Sequence, residues 1–150
     1  MNLPVEVLGS EKLVASFGSW PSFHDSEILS VHLDRADNES DAGPMLTIQF
    51  HLVQGCANTG HVDGVRGESN TLVTLAFVNI TDLQLFAFNH QNAIFDLVLS
   101  DDGVHPDTPN LRAIRVGLQA SYGASGSWLC SSIRVLEVIS GRPPGGVTEQ

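Results

Sequence analysis

Lysine and cysteine are both scarce in this chain. One lysine and six arginines face seventeen acids, leaving a formal charge of −10 and a pI near 4.7. That shortage argues against nucleic acid or an anionic membrane as a partner, because both are held by offering surplus Lys and Arg to phosphates. The two cysteines, Cys56 in a polar loop and Cys130 within a strand pattern, form neither a CxxC pair nor a disulfide framework. Cys130 reads as a small buried apolar residue and Cys56 as a free thiol. No apolar run approaches the ~18 residues that cross a bilayer. Met1-Asn2-Leu3-Pro4-Val5-Glu6 has neither the basic nor the apolar region of a signal peptide, so the expected location is the cytoplasm. Glycines abound in residues 54–70, but without GxGxxG or GxxxxGK[ST] spacing, and Asp63 and Glu68 stand where a phosphate would need amides and a lysine.

What is present is an ordinary globular composition, 42% hydrophobic over 150 residues. A chain of this length buries roughly 68–70% of its unfolded surface in one core. The expectation is one domain over residues 1–140, followed by a flexible Pro/Gly-rich tail, 141–150, that cannot continue a ladder. Ser10 as N-cap and Gly18 after the last turn bracket one short helix, with Leu13, Val14 and Phe17 on its apolar face. The period then changes to two. Leu29, Val31 and Leu33 alternate with Ser30, His32 and Asp34, and Leu46 to Leu52 alternate likewise, predicting an antiparallel pair. Leu72–Ile80 and Leu83–Phe88 read as strands covered on both faces. Ile94–Leu99 follows, with an acidic turn at Ser100-Asp101-Asp102-Gly103. Ile114–Tyr122 and Trp128–Ile139, joined through Gly123-Ala124-Ser125-Gly126, read as a hairpin. The predicted fold is therefore α+β and predominantly antiparallel β: a single sheet or sandwich of six to seven strands with one N-terminal helix.

The densest cluster of chemistry is Gly18-Ser19-Trp20-Pro21-Ser22-Phe23-His24-Asp25-Ser26-Glu27. Ser22 and Asp25 have the S-x-x-D spacing of a capping box, and Pro21 pushes Trp20 toward extended backbone. The local spacing thus favours a rigid corner in which Trp20, Pro21 and Phe23 close one end of the core. A Ser22/His24/Asp25 triad is not expected, since adjacent His and Asp in a turn or strand are expected to diverge and a nucleophile needs its base within ~3 Å. Neither Ser19 nor Ser125 lies in a G-x-S-x-G elbow. His24, Asp25, Glu27, His32, His51, His61, Asp63 and Glu68 supply metal-ligand types, but no H-x-H, HExxH or EF-hand spacing organises them, so neither metal nor cofactor is expected. The acidic stretches around Asp37, Glu39 and Asp41 and around Asp101 and Asp102 read as solvated turns or as half of an electrostatic interface.

The run Phe17-Gly-Ser-Trp-Pro-Ser-Phe-His-Asp-Ser-Glu-Ile28 resembles the opening motif of a bacterial immunity-protein family of polymorphic toxin systems, immunity protein family fifty. Phe77–Leu83, Phe88-Asn89-His90-Gln91-Asn92, Ser121-Tyr122-Gly123 and the strand through Cys130, Ile133 and Val135 resemble its later motifs, so the resemblance spans Lys12 to Ile139. Residues 54–70 match nothing in that pattern. The resemblance implies stoichiometric binding to a toxin domain and inhibition of it without turnover. An acidic inhibitor would gain electrostatic steering toward a basic toxin. On this reading His24, Asp25, Glu27, Asp37, Glu39, Asp41, Asp101 and Asp102 are the candidate partner-binding residues. The alternative is a small-ligand or metal-binding protein, including a hydrolase, with His24, Asp25 and Glu27 joined by His32 or His51 around a pocket.

Overall fold

The computed structural model describes residues 3–35, 43–55, 68–106, 110–141 and 143. Helix α1 (Ser10–Phe17) is followed by eight strands: β1 (Glu27–Asp34), β2 (Met45–Gly55), β3 (Glu68–Val78), β4 (Thr81–Phe86), β5 (Ala93–Val104), β6 (Arg112–Tyr122), β7 (Ser125–Cys130) and β8 (Ser132–Ser140). They form one sheet in the order β4-β7-β6-β5-β1-β2-β3-β8, and every strand pairing is antiparallel. The class is the expected one. The eighth strand arises where Trp128–Ile139 had read as one: the chain breaks at Ser131, whose amide donates to Val78 O at 2.9 Å.

That break explains the architecture. β3 and β8 pair up to Val78 and Ser132, and the same two chains resume pairing as β4 and β7 from Thr81 and Leu129. The result is one long ribbon bent at Asn79–Ile80 and Ser131, with Asn79 and Asp82 at φ of 61° and 59°. On one side of the bend β3 is the strand that pairs inward, with β2; on the other it is β7, with β6. The sheet therefore curls around a single core cluster drawn from both of its ends, in which Phe77 of β3 meets Trp128 of β7 edge to face, with centroids 5.1 Å apart.

β2 behaves as its alternation dictates, with Leu46, Ile48, Phe50 and Leu52 buried, and β3 is covered on both faces from Thr71 to Val78 apart from the half-buried Thr74. β4 is not. It is an edge strand alternating half-buried and exposed, because only β7 flanks it. In β1 a bulge at Leu29 shifts the register, so Ile28 is buried while Leu33 is exposed, beside the exposed His32 and Asp34. The acidic segment 100–103 lies inside β5: Asp101 Oδ1 accepts from Gly103 N at 2.9 Å, and the turn chemistry there makes a bulge within the strand. β8, at the opposite edge, is covered by a parallel bridge from Leu8, whose amide donates to Ile133 O while its carbonyl accepts from Val135 N. Gly9, not Ser10, caps α1, with φ of 82°, and Gly18 closes it at 84°. Leu13 is buried and Phe17 half-buried, whereas Val14 is exposed.

Candidate functional site

The Trp20–Glu27 segment is a corner, built differently from its spacing. Ser22 Oγ accepts from His24 N at 3.1 Å, so no capping box forms; Asp25 N donates instead to Ile94 O at 2.9 Å, with Asp25 at φ of 68°. Ser26 turns the chain by donating both its amide and its hydroxyl to Phe23 O. Trp20, Pro21 and Phe23 are buried, and Phe23 stands edge-on to Phe50 with centroids 5.1 Å apart. Outside lie His24 and Asp25, with Nδ1 and Oδ2 3.1 Å apart and both side chains largely in water, a pair of little energetic weight. The His24 ring meets the edge of Phe95 at 5.0 Å.

The corner docks on one buried side chain, Asn92. Its Oδ1 accepts from Asn89 N at 2.9 Å and Ala124 N at 3.2 Å, its Nδ2 donates to Asn89 O at 2.7 Å and Ile28 O at 3.5 Å, and its backbone amide donates to Glu27 Oε2 at 3.2 Å. β1 and β5 share a single register pair, Glu27 with Ala93, so across this seam the two halves of the sheet are joined by the knot and by the Asp25–Ile94, Ser26–Ile94 and Ile28–Asn92 backbone bonds. Gly123, at φ of 85°, completes it: a Cβ there would stand 2.7 Å from Asn92 Oδ1 and closer still to Gln91 O. Three segments far apart in sequence, 20–28, 88–92 and 122–124, thus meet at one end of the molecule.

Asp101 and Asp102 are elsewhere. Eight residues separate Ala93 from Asp101 along β5, about 27 Å at ~3.4 Å per residue. There Asp101 pairs with Arg112, and Asp102 faces Arg115 at 3.6 Å, so each acid has a cation across the strand pair. Asp37, Glu39 and Asp41 lie outside the described residues, as do Cys56, His61 and Asp63. His51 and His32 share a face of β1–β2, but their register positions, opposite Glu27 and Thr47, are four residues apart, about 14 Å. His51 Nε2 lies 2.9 Å from Asn70 Oδ1. Among the described residues no three His, Cys, Asp or Glu side chains are grouped to hold a metal. A cleft of about 330 Å³ lies not beside His24 but between Pro4–Leu8 and the Asp101–Arg112 pair. Cys130 is buried, which pushes its thiol pKa up to about 12.

The rim of the Asn92 end carries four aromatic residues, of which Phe86, Phe88 and Tyr122 had read as covered strand positions. Phe86, Phe88, Phe95 and Tyr122 are all about half exposed, at 57, 47, 51 and 54%. Ala87, between the first two, has φ of 58°, a left-handed conformation that an alanine adopts at a cost of roughly 1–2 kcal/mol. The only sequence signal for this was the crowding of Phe, Asn and Gln in residues 86–92, a turn composition where a strand had been drawn.

Among the described residues no helix is long and apolar enough to cross a membrane. In comparisons with known proteins, the family model described as Immunity protein 50 matches residues 9–139 of this chain. No curated protein and no solved structure matches.

Proposed function

The chain belongs to the Immunity protein 50 family, and from that premise we propose that it neutralises a toxin by holding it in a stoichiometric protein–protein complex, without turnover. The observation that carries the proposal is the family match over residues 9–139, a span within which segments 20–28, 88–92 and 122–124 converge on Asn92. Such a knot fixes the relative placement of distant surface loops, as a rigid binding scaffold requires. The −10 charge supports a basic toxin domain as partner and disfavours nucleic acid or an anionic membrane. No specific observation favours a metal or hydrolytic site at His24, Asp25 and Glu27: Glu27 is engaged by the Asn92 amide, and His51 sits against Asn70.

The test is titration of a basic toxin domain from the same source genome with the purified protein, following toxin activity and heat of binding together. Activity falling linearly to zero at one equivalent, with a matching calorimetric stoichiometry, is the expected result. Inhibition that continues catalytically below one equivalent, or no binding at all, would refute it.

A further inference from the structure

We propose that the toxin is gripped by the aromatic rim of the Asn92 end, through Phe86, Phe88, Phe95 and Tyr122 with Asp25 beside them, and not by the acidic end of β5. The inference rests on the immunity reading and names the surface that reading leaves open. All four half-exposed aromatics among the described residues belong to this end. Phe88 adjoins Asn89 and Phe86 pairs with Ser125 next to Ala124, both bound to Asn92 Oδ1; Tyr122 pairs with Ala93, and Phe95 lies three residues beyond Asn92. Aromatic side chains standing in water around a rigid, fully hydrogen-bonded base are the composition of an interface hot spot.

Charge names the occupant. Asp25 and Asp96 lie on the same rim, none of these residues is a lysine or arginine, and the chain as a whole is at −10, so the surface complements a basic protein domain. At the other end of β5 each acid faces an arginine, Asp101 facing Arg112 and Asp102 facing Arg115, whereas the neighbour of Asp25 is the His24 ring and no arginine or lysine. A second sign is backbone strain. Asp25 and Ala87 both hold positive φ at this rim, a conformation that persists where the surrounding structure imposes it and that concentrates at binding sites.

The experiment measures binding of the same toxin domain to the wild-type chain, to Phe88→Ala, Phe95→Ala and Tyr122→Ala singly and combined, to Asp25→Lys, and to the double variant Asp101→Asn/Asp102→Asn. Each variant's urea midpoint is recorded as a check on folding. At least about a tenfold loss is expected for one or more single aromatic variants and about a thousandfold for the triple. Asp25→Lys should slow association severalfold at low salt and little at high salt, while the β5 double variant stays within threefold. If the wild type binds but the folded aromatic variants bind as well as it does, the surface is wrong and the immunity reading stands; should the triple variant unfold, the singles and Asp25→Lys still decide. Failure of the wild type to bind refutes both. Self-association abolished by Phe95→Ala would assign the rim to a second copy and overturn the inference.

Discussion

Asn92→Ala should destabilise the protein more than its single polar side chain would lead one to expect. The side chain is 2% exposed and makes three bonds between 2.7 and 3.2 Å, to Asn89 N, Ala124 N and Asn89 O, with a weaker fourth to Ile28 O. Each ordinary bond contributes about 1 kcal/mol net, but truncation also strands the Ala124 amide, on a fully buried residue, whose unsatisfied desolvation costs about 1–3 kcal/mol. Asn89 is exposed and recovers its bonds from water. The loss should therefore be about 3 kcal/mol, which for a domain of this size lowers the melting temperature by roughly 6–12 °C. Urea unfolding followed by the fluorescence of Trp20 and Trp128 measures it, with Asn89→Ala as the exposed comparison, expected to cost less than about 1 kcal/mol. Backbone amide exchange should rise at Ile28 and Ile94, where the two halves of the sheet are joined. A midpoint shift worth less than about 0.5 kcal/mol, or increased exchange confined to residues 88–91, would show that Asn92 is not the joint.

Gly123→Ala is expected to cost at least 2 kcal/mol, roughly, since it adds left-handed strain to a clash with backbone and with Asn92; calorimetry of the purified variant reads this directly. Ala87→Gly should change stability in the opposite direction, by about +0.5–1 kcal/mol, because glycine carries no left-handed penalty; a loss of stability would mean that the φ at 87 is not strained. In a Cys56→Ser background, Cys130 should resist a thiol reagent at pH 8 until denaturant is added, since burial keeps it protonated. Its folded pKa is raised from 9.0 to about 12, so the associated stability is intact below pH 9 and is lost as pH climbs from 9 toward 12. Urea midpoints taken from pH 8 to 11 should fall faster in the Cys130-bearing protein than in a Cys130→Ala variant.

Several elements were legible because burial on one face imprints a period on local sequence. The alternation at 46–52 identifies β2, and Gly123-Ala124 place the β6–β7 hairpin, although Ser125 and Gly126, read as part of its turn, already belong to β7; Leu72–Val78 shows as an apolar run because β3 is covered on both sides. The corner at 20–26 could be placed from Trp20, Pro21 and Phe23, yet the bonds that make it could not, because Asp25 finds its partner at Ile94, nearly seventy residues away. The break at Ser131 leaves no local mark: no proline or glycine stands there, and the bend belongs to the paired ribbon, not to either strand alone. Asp101 and Asp102 had read as a turn, since a D-x-G bulge within a strand uses the same residues.

By itself, then, the order of residues determined the antiparallel class, the single short helix, the acidity and the family resemblance, all of which are properties of short windows or of the whole composition. Only the tertiary structure decided that segments 20–28, 88–92 and 122–124 share one end, that Asp101 and Asp102 lie at the other end of β5, and that Phe86, Phe88, Phe95 and Tyr122 face water. The physical reason is that side-chain period reports whether a position is covered, whereas what covers it depends on pairings between residues that no window of the sequence contains.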